Sequence, residues 1–199
     1  MPQMSEVRIE KEFKPFPVLW HAAKCLREIR DAETVPGRYW AGLGALVMLA
    51  FAVEGFCQTE GPGIFGDDWD NEDGARVERK PVLEKFKLIG KSVGASVNYG
   101  QLPWSDVKRV MRARDALAHP RPAKRDKSAL LEIPEGVHPI DAAAHLVLED
   151  WEPLLEPETA RKLAESIDAA LKDIWTRMGR DEWQLHLQGS TSYVMTVTK

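Results

Sequence analysis

The stretch RARDALAHPRP, residues 112–122, holds a guanidinium, a carboxylate and an imidazole in close succession at Arg114, Asp115 and His119. A guanidinium is a rigid fork of donors that suits a phosphate or carboxylate oxygen pair. Imidazole is the side chain whose charge changes near neutral pH. If Arg114 and His119 converge, they bind one anion and offer it a group that exchanges protons. Further cations flank the pair: Lys108, Arg109 and Arg112 before it, Arg121, Lys124 and Arg125 after it.

Positioning such a pair falls to a helix. Ser105 is suited to cap it, and the helix is expected from Asp106 to about Ala118. With Val107 as origin and about 100° per residue, Val110, Met111, Leu117 and Ala118 fall within about 80° of it. Arg114 lands near the middle of that apolar face, whereas Lys108, Arg109 and Arg112 lie on sides that solvent or phosphate reaches. A guanidinium on a packing face is costly unless it is paired, or unless the face opens onto a polar cleft or a subunit interface. Pro120 disfavours helical geometry at His119, so the imidazole is expected at the helix exit, released from the helical wheel.

The remaining elements also read as helices. Residues 1–15 are polar and expected to be irregular. Val18, Leu19, Ala22, Ala23, Leu26 and Ile29 recur at helical spacing. After Pro36-Gly37 an apolar helix runs to about Cys57, followed by a long Gly- and Asp-rich loop over 59–79. Pro81 suits the first turn of a third helix with an apolar stripe of Leu83, Phe86, Leu88 and Ile89. A connector (92–103) leads to the arginine-bearing helix. A basic, proline-bearing loop then precedes helical segments at 139–155 and 157–178. In the tail, Trp183, Leu185 and Leu187 alternate with polar residues before Gly189-Ser190, which predicts a β-hairpin over 179–199. The expected fold is all-α: one helical bundle over residues 16–178 with a small C-terminal β-hairpin.

Composition narrows the function classes. The chain has 199 residues, 44% of them hydrophobic, and a formal net charge of −4. Nucleic acid would therefore have to be held by a local basic patch, not by bulk charge. Cys25 and Cys57 are too widely spaced for a metal knuckle and suit a reducing, cytoplasmic setting. The apolar run Tyr39–Val53 stops at Glu54, short of the roughly 20 residues that cross a bilayer, so a core helix and no membrane partner are expected. The acidic stretch DDWDNEDG resembles a calcium loop starting at Asp68, but Asp73 occupies the glycine position and Arg79 the terminal glutamate position. His21, His138 and His145 have no partners at metal-ligand spacing, and no metal or cofactor is expected. There is no phosphate-binding loop, dinucleotide fingerprint or serine-hydrolase elbow. A second Arg/His pair, Arg180 and His186, lacks the preceding amphipathic helix and the following proline.

The Arg-Asp-x-x-x-His arrangement of Arg114 to His119 resembles the R-x(4–6)-H motif of the HEPN superfamily (higher eukaryotes and prokaryotes nucleotide-binding). The polar residue after the arginine and the proline after the histidine fit that pattern, as does the preceding order of EKFKLIG helix, connector and LPWSDVKRVMRARDALAHPRP. The resemblance follows the helix order over about residues 16–178, with most of its specificity in 80–122. It implies a HEPN-like bundle and a metal-independent endoribonuclease that works as a homodimer, both motifs meeting in one cleft. It further implies that His119 is the general acid/base, Arg114 the stabiliser of the phosphorane charge and Asp115 the residue that orients one of them. Lys108, Arg109, Arg112, Arg121, Lys124 and Arg125 would contact RNA phosphates. A toxin or phage-defence role with a cognate antitoxin protein follows from the same resemblance. Non-catalytic members act as dimerisation or partner-binding modules, and a small-ligand bundle anchored by the arginine is a third reading.

Overall fold

The computed structural model describes residues 5–11, 14–32, 37–71, 76–119, 133, 150–187 and 191–197. Over these residues it is mainly helical: α1 (Pro15–Ala32), α2 (Gly37–Phe65), α3 (Val82–Ser92), α4 (Trp104–Ala118) and α5 (Pro157–Arg177). Strands β1 (Ser5–Lys11) and β2 (Thr191–Val197) form an antiparallel pair, with Val7 opposite Met195 and Ile9 opposite Tyr193. The described residues divide into two compact units. One draws on residues 1–22, 51–96 and 171–199, the other on 23–50 and 97–170.

The first unit is built around aromatic packing. Phe16 of α1 meets Phe56 of α2 edge to face at 5.4 Å and Trp175 of α5 at 6.4 Å, and Phe56 meets Phe86 of α3 at 6.3 Å. All four side chains are buried, so their apolar area and ring geometry act together. α3 starts after Pro81, as expected, and buries Phe86 and Ile89. It also buries Lys85, whose Nζ donates to the Glu78 carbonyl at 3.1 Å and lies 5.9 Å from the Trp69 ring centroid.

Two sequence expectations change here. α2 does not stop near Cys57 but continues to Phe65, so the 59–79 stretch is not a solvated loop throughout. Its cause is Trp69, buried and stacked on Phe65 at 6.3 Å. Its ring lies directly on Gly61, where the missing Cβ leaves room for it. Gly66, at φ 52°, then turns the chain back, and the Glu78 amide donates to the Trp69 carbonyl at 2.9 Å. The helical run Gly37–Asp68 is consequently long and apolar enough to cross a membrane by length and composition, and 56% of its most apolar window is buried within the protein.

The expected hairpin over 179–199 is the second correction. Gly179, at φ 76°, ends the turn that follows α5, and Glu182–Gln184 forms a 3₁₀ turn, not a strand. Leu185 is buried while Trp183 and Leu187 are exposed, so the three alternating residues do not share one face. The Trp175 indole fixes this turn by donating to the Asp181 carbonyl at 2.8 Å. β2 pairs instead with β1, in the segment expected to be irregular. Residues Gly189-Ser190 and 139–149 of the expected 139–155 helix lie outside the described residues, and at its expected end Glu152–Leu155 forms a 3₁₀ turn, not an α-helix.

The second unit buries Leu46, Leu49 and Ala50 of α2, Trp104, Val107, Val110 and Met111 of α4, and Leu163, Ile167 and Ala170 of α5. Arg30 of α1 is buried among them at 2% exposure. It donates to the Leu155 carbonyl at 3.2 Å, to the Pro157 carbonyl at 3.5 Å, and to Asp31 at 2.7 and 2.8 Å. That guanidinium ties α1 to the 3₁₀ turn Glu152–Leu155 and to the start of α5.

Candidate functional site

α4 carries the candidate pair. It begins at Trp104, two residues before the expected start, with Pro103 at its cap. Ser105 is therefore inside the first turn and makes no side-chain cap; its amide donates to the Gln101 carbonyl at 2.8 Å. Proline supplies the same stop-and-start signal by fixing φ. The helix is braced within its unit by Ser166 Oγ, which donates to the Pro103 carbonyl at 3.4 Å.

The apolar face forms largely as the wheel requires. Val107, Val110 and Met111 are buried, Leu117 is half-buried, and Arg114 sits among them with its side chain 20% exposed. Ala118 is exposed, contrary to expectation. The buried arc instead widens the other way, to Ala113 and Asp106. Arg114 Nη1 is 3.1 Å from Asp115 Oδ1, and Asp115 is itself exposed.

α4 ends at Ala118, and His119 takes φ −128° and ψ 60°, outside helical geometry. Its amide still donates to the Asp115 carbonyl at 3.0 Å. Asp115 thus touches both partners, Arg114 by its carboxylate and His119 by its backbone. His119 is exposed, so its imidazole is accessible to a ligand or to a second chain. The structure sets this group at the end of one helix: a mostly buried guanidinium, a carboxylate holding it, and an open imidazole. Taken singly, a guanidinium is suited to an anion and an imidazole to proton exchange near neutral pH.

The other cations separate. Lys108 is half-buried. Arg109 donates to Asp106 at 2.8 Å, across one turn of α4. Arg109 and Arg112 both line a cavity of about 250 Å³ together with Ala113, Ala116, Asp150, Trp151 and Leu154. On the helical wheel these two arginines lie about 140–160° away from Arg114, so the cavity and the Arg114 face are different surfaces of α4. Arg121, Lys124 and Arg125 lie outside the described residues.

The second Arg/His pair is engaged elsewhere. Arg180 pairs with buried Glu60 at 2.5 Å and stacks over Trp175 at 4.4 Å. His186 stacks on Trp20 at 5.2 Å. Among the described residues, no three His, Cys, Asp or Glu side chains are grouped to hold a metal ion; His138, His145, Glu72 and Asp73 lie outside that set.

Sequence reasoning missed Asp106, Arg30 and the cavity. Asp106 and Arg109 stand at the i, i+3 spacing that favours helix ion pairs, a signal that was present in WSDVKR. No such local signal marks Asp150 and Trp151, which reach α4 only through the fold. No family model, curated protein or solved structure matches the chain.

Proposed function

We propose that the chain is a metal-independent endoribonuclease of the HEPN type that acts as a cytoplasmic homodimer, in the manner of a toxin or phage-defence effector. The observation that carries this reading is the end of α4. Arg114 is held on a packing face by Asp115, and His119 stands exposed one residue past the helix. In the reaction the RNA 2′-OH attacks the adjacent phosphodiester. A new O–P bond forms and the P–O5′ bond breaks. His119 takes the hydroxyl proton as general base, and an imidazolium, from this or the second subunit, gives one to the leaving 5′ oxygen. Arg114 offers its donors to the charge that develops on the phosphorane. Asp115 keeps the guanidinium in place. Arg121, Lys124 and Arg125 supply phosphate contacts whose strength falls with salt; Lys108, Arg109 and Arg112, about 120–160° from Arg114 around α4, are left out of that set. A cognate antitoxin protein would act by covering this surface.

Purified protein in EDTA is expected to cut RNA and leave 2′,3′-cyclic phosphate ends. Arg114→Ala and His119→Ala should each reduce cutting by at least about a hundredfold, with unchanged helical content by circular dichroism. Wild-type-like cutting by either variant removes the assigned role.

The pairing of Arg114 with Asp115, together with its low exposure, also suits a second reading. In that case the HEPN-like bundle is a non-catalytic dimerisation or partner-binding module. The same two substitutions would then weaken self-association in sedimentation experiments, and no cleavage would appear at any protein concentration.

A further inference from the structure

The cavity on the far side of α4 lies within the second unit and has a chemistry distinct from that of the Arg114 surface. Arg109, Arg112, Ala113 and Ala116 recur at i, i+3, i+4 and i+7 and so share one face about 100° wide. Trp151 and Leu154 supply the apolar part of the second wall, with Asp150 beside them. That wall is anchored: Arg30 donates to the carbonyls of Leu155 and Pro157, the residues that follow Leu154 most closely in the chain. The space is about 250 Å³. An apolar cavity of about 150 Å³ takes a benzene ring, so this one has room for a ring or a short alkyl chain with a few polar atoms.

The polar groups of the lining are not equally open to a ligand. Asp150 is already engaged by an interaction of its own, so it offers no ready receptor for an ammonium. Arg109 gives Nη1 to Asp106, a residue outside the lining, and keeps the rest of its fork. Arg112 is exposed, and its guanidinium has no hydrogen bond or ion pair among the described residues. The open group is thus one guanidinium, which matches one negative charge. A phosphate monoester, at about −1.5 to −2, exceeds that match and meets the like charge of Asp150. The rest of the lining is apolar, with Ala113 and Leu154 buried and Trp151 half-buried. We infer that this cavity binds a small monocarboxylate with an apolar body. Its carboxylate lies on Arg112, beside the remaining donors of Arg109, because a planar pair of donors suits a carboxylate. Its body lies against Ala113, Ala116, Trp151 and Leu154, where apolar surface leaves water.

The test is calorimetric titration of the full-length chain with hexanoate, phenylacetate, 3-phenylpropanoate and indole-3-acetate in turn. At least one is expected to bind with a Kd at or below about 1 mM. For that acid, the amide keeps the body and removes the charge, and it should bind about tenfold more weakly or worse. Acetate keeps the charge without the body and should not bind measurably. Arg112→Gln should weaken binding by about tenfold, and Ala116→Leu should abolish it by filling the cavity. Both positions are exposed, and circular dichroism checks that the helices are intact. Asp150→Asn removes a like charge and should leave binding as tight or tighter. The inference is overturned if none of the acids binds by about 1 mM, or if the amide binds as well as its parent. Undiminished binding by Arg112→Gln or by Ala116→Leu overturns it equally. So does binding of the dinucleotide UpU, a monoanion without an apolar body, in place of the carboxylates. Cleavage of RNA by the Arg114 variants is scored separately, so either idea can fail while the other stands.

Discussion

Gly61 offers a test of how the end of α2 is held. Alanine in place of glycine inside a helix ordinarily stabilises by about 0.5–1 kcal/mol, because the unfolded chain loses freedom. At Gly61 a Cβ would fall on the Trp69 indole, 2.5 Å from Cε3 and closer still to Cζ3 and Cη2. Ordinary carbon contacts need about 3.5–4.0 Å, so the ring must retreat by more than an ångström. Trp69 is only 7% exposed and is stacked on Phe65, and a retreat disturbs that stack. Overpacking of this kind costs up to about 3 kcal/mol. Set against the intrinsic gain, Gly61→Ala should lose about 2 kcal/mol, a Tm lower by about 4–8 °C for a chain of this length. Gly63, two residues along the same helix, has nothing within 4 Å of its would-be Cβ. Gly63→Ala should therefore hold or slightly raise stability. Urea denaturation followed by circular dichroism measures both, and repeating Gly61→Ala in a Trp69→Ala background should recover the intrinsic gain. A Gly61→Ala protein as stable as the parent would refute the account of Trp69 as the reason α2 continues.

Two further outcomes follow from buried polar groups. Arg30→Met should lower unfolding free energy by about 2–3 kcal/mol, because the carbonyls of Leu155 and Pro157 lose a charged donor; urea midpoints measure this. Cys57 is buried, and burial pushes its thiol up to about 12, whereas Cys25 is exposed. A thiol reagent should therefore modify one cysteine in the native protein and two in denaturant. The same shift gives a pH effect. The unfolded thiol ionises near 9 and the folded one near 12, so the unfolded state holds fewer protons between these values. Stability then falls as pH rises through that window, by about 1.4 kcal/mol per unit from this group. Cys57→Ala should show a shallower alkaline decline than the parent.

What could be read from the chain beforehand was mostly local. The periodicity of α4, the intrusion of Arg114 on its face and the release of His119 by Pro120 are all consequences of neighbours a few residues apart. The beginning of α4 was misplaced because Ser105 is a strong cap in isolation, while Pro103 determines the start. The end of α2 was misplaced because Gly61, Pro62 and Gly63 read as breakers. A proline there removes one amide donor, and packing of Trp69 outweighs that loss. The strand at Ser5–Lys11 carried a period-two pattern, with Val7 and Ile9 between Glu6, Arg8 and Glu10, but its high charge masked it. The cavity was invisible for a different reason. Its two walls come from α4 and from residues 150–154, and only the fold brings them together.

The β1–β2 pairing also sets an order of events during synthesis. Lys11 pairs with Thr191, so about 180 residues must be made after β1 before its partner exists. At about 5–20 residues per second that is an interval of roughly 9–36 s. Throughout it, β1 presents unpaired backbone donors and acceptors to any other extended chain, the condition under which strand edges recruit wrong partners. The segment's sequence carries charge at Glu6, Arg8, Glu10 and Lys11, a composition that discourages wrong strand pairing. The charge that hides this strand from a pattern search is of the kind that discourages wrong pairing at an open strand edge.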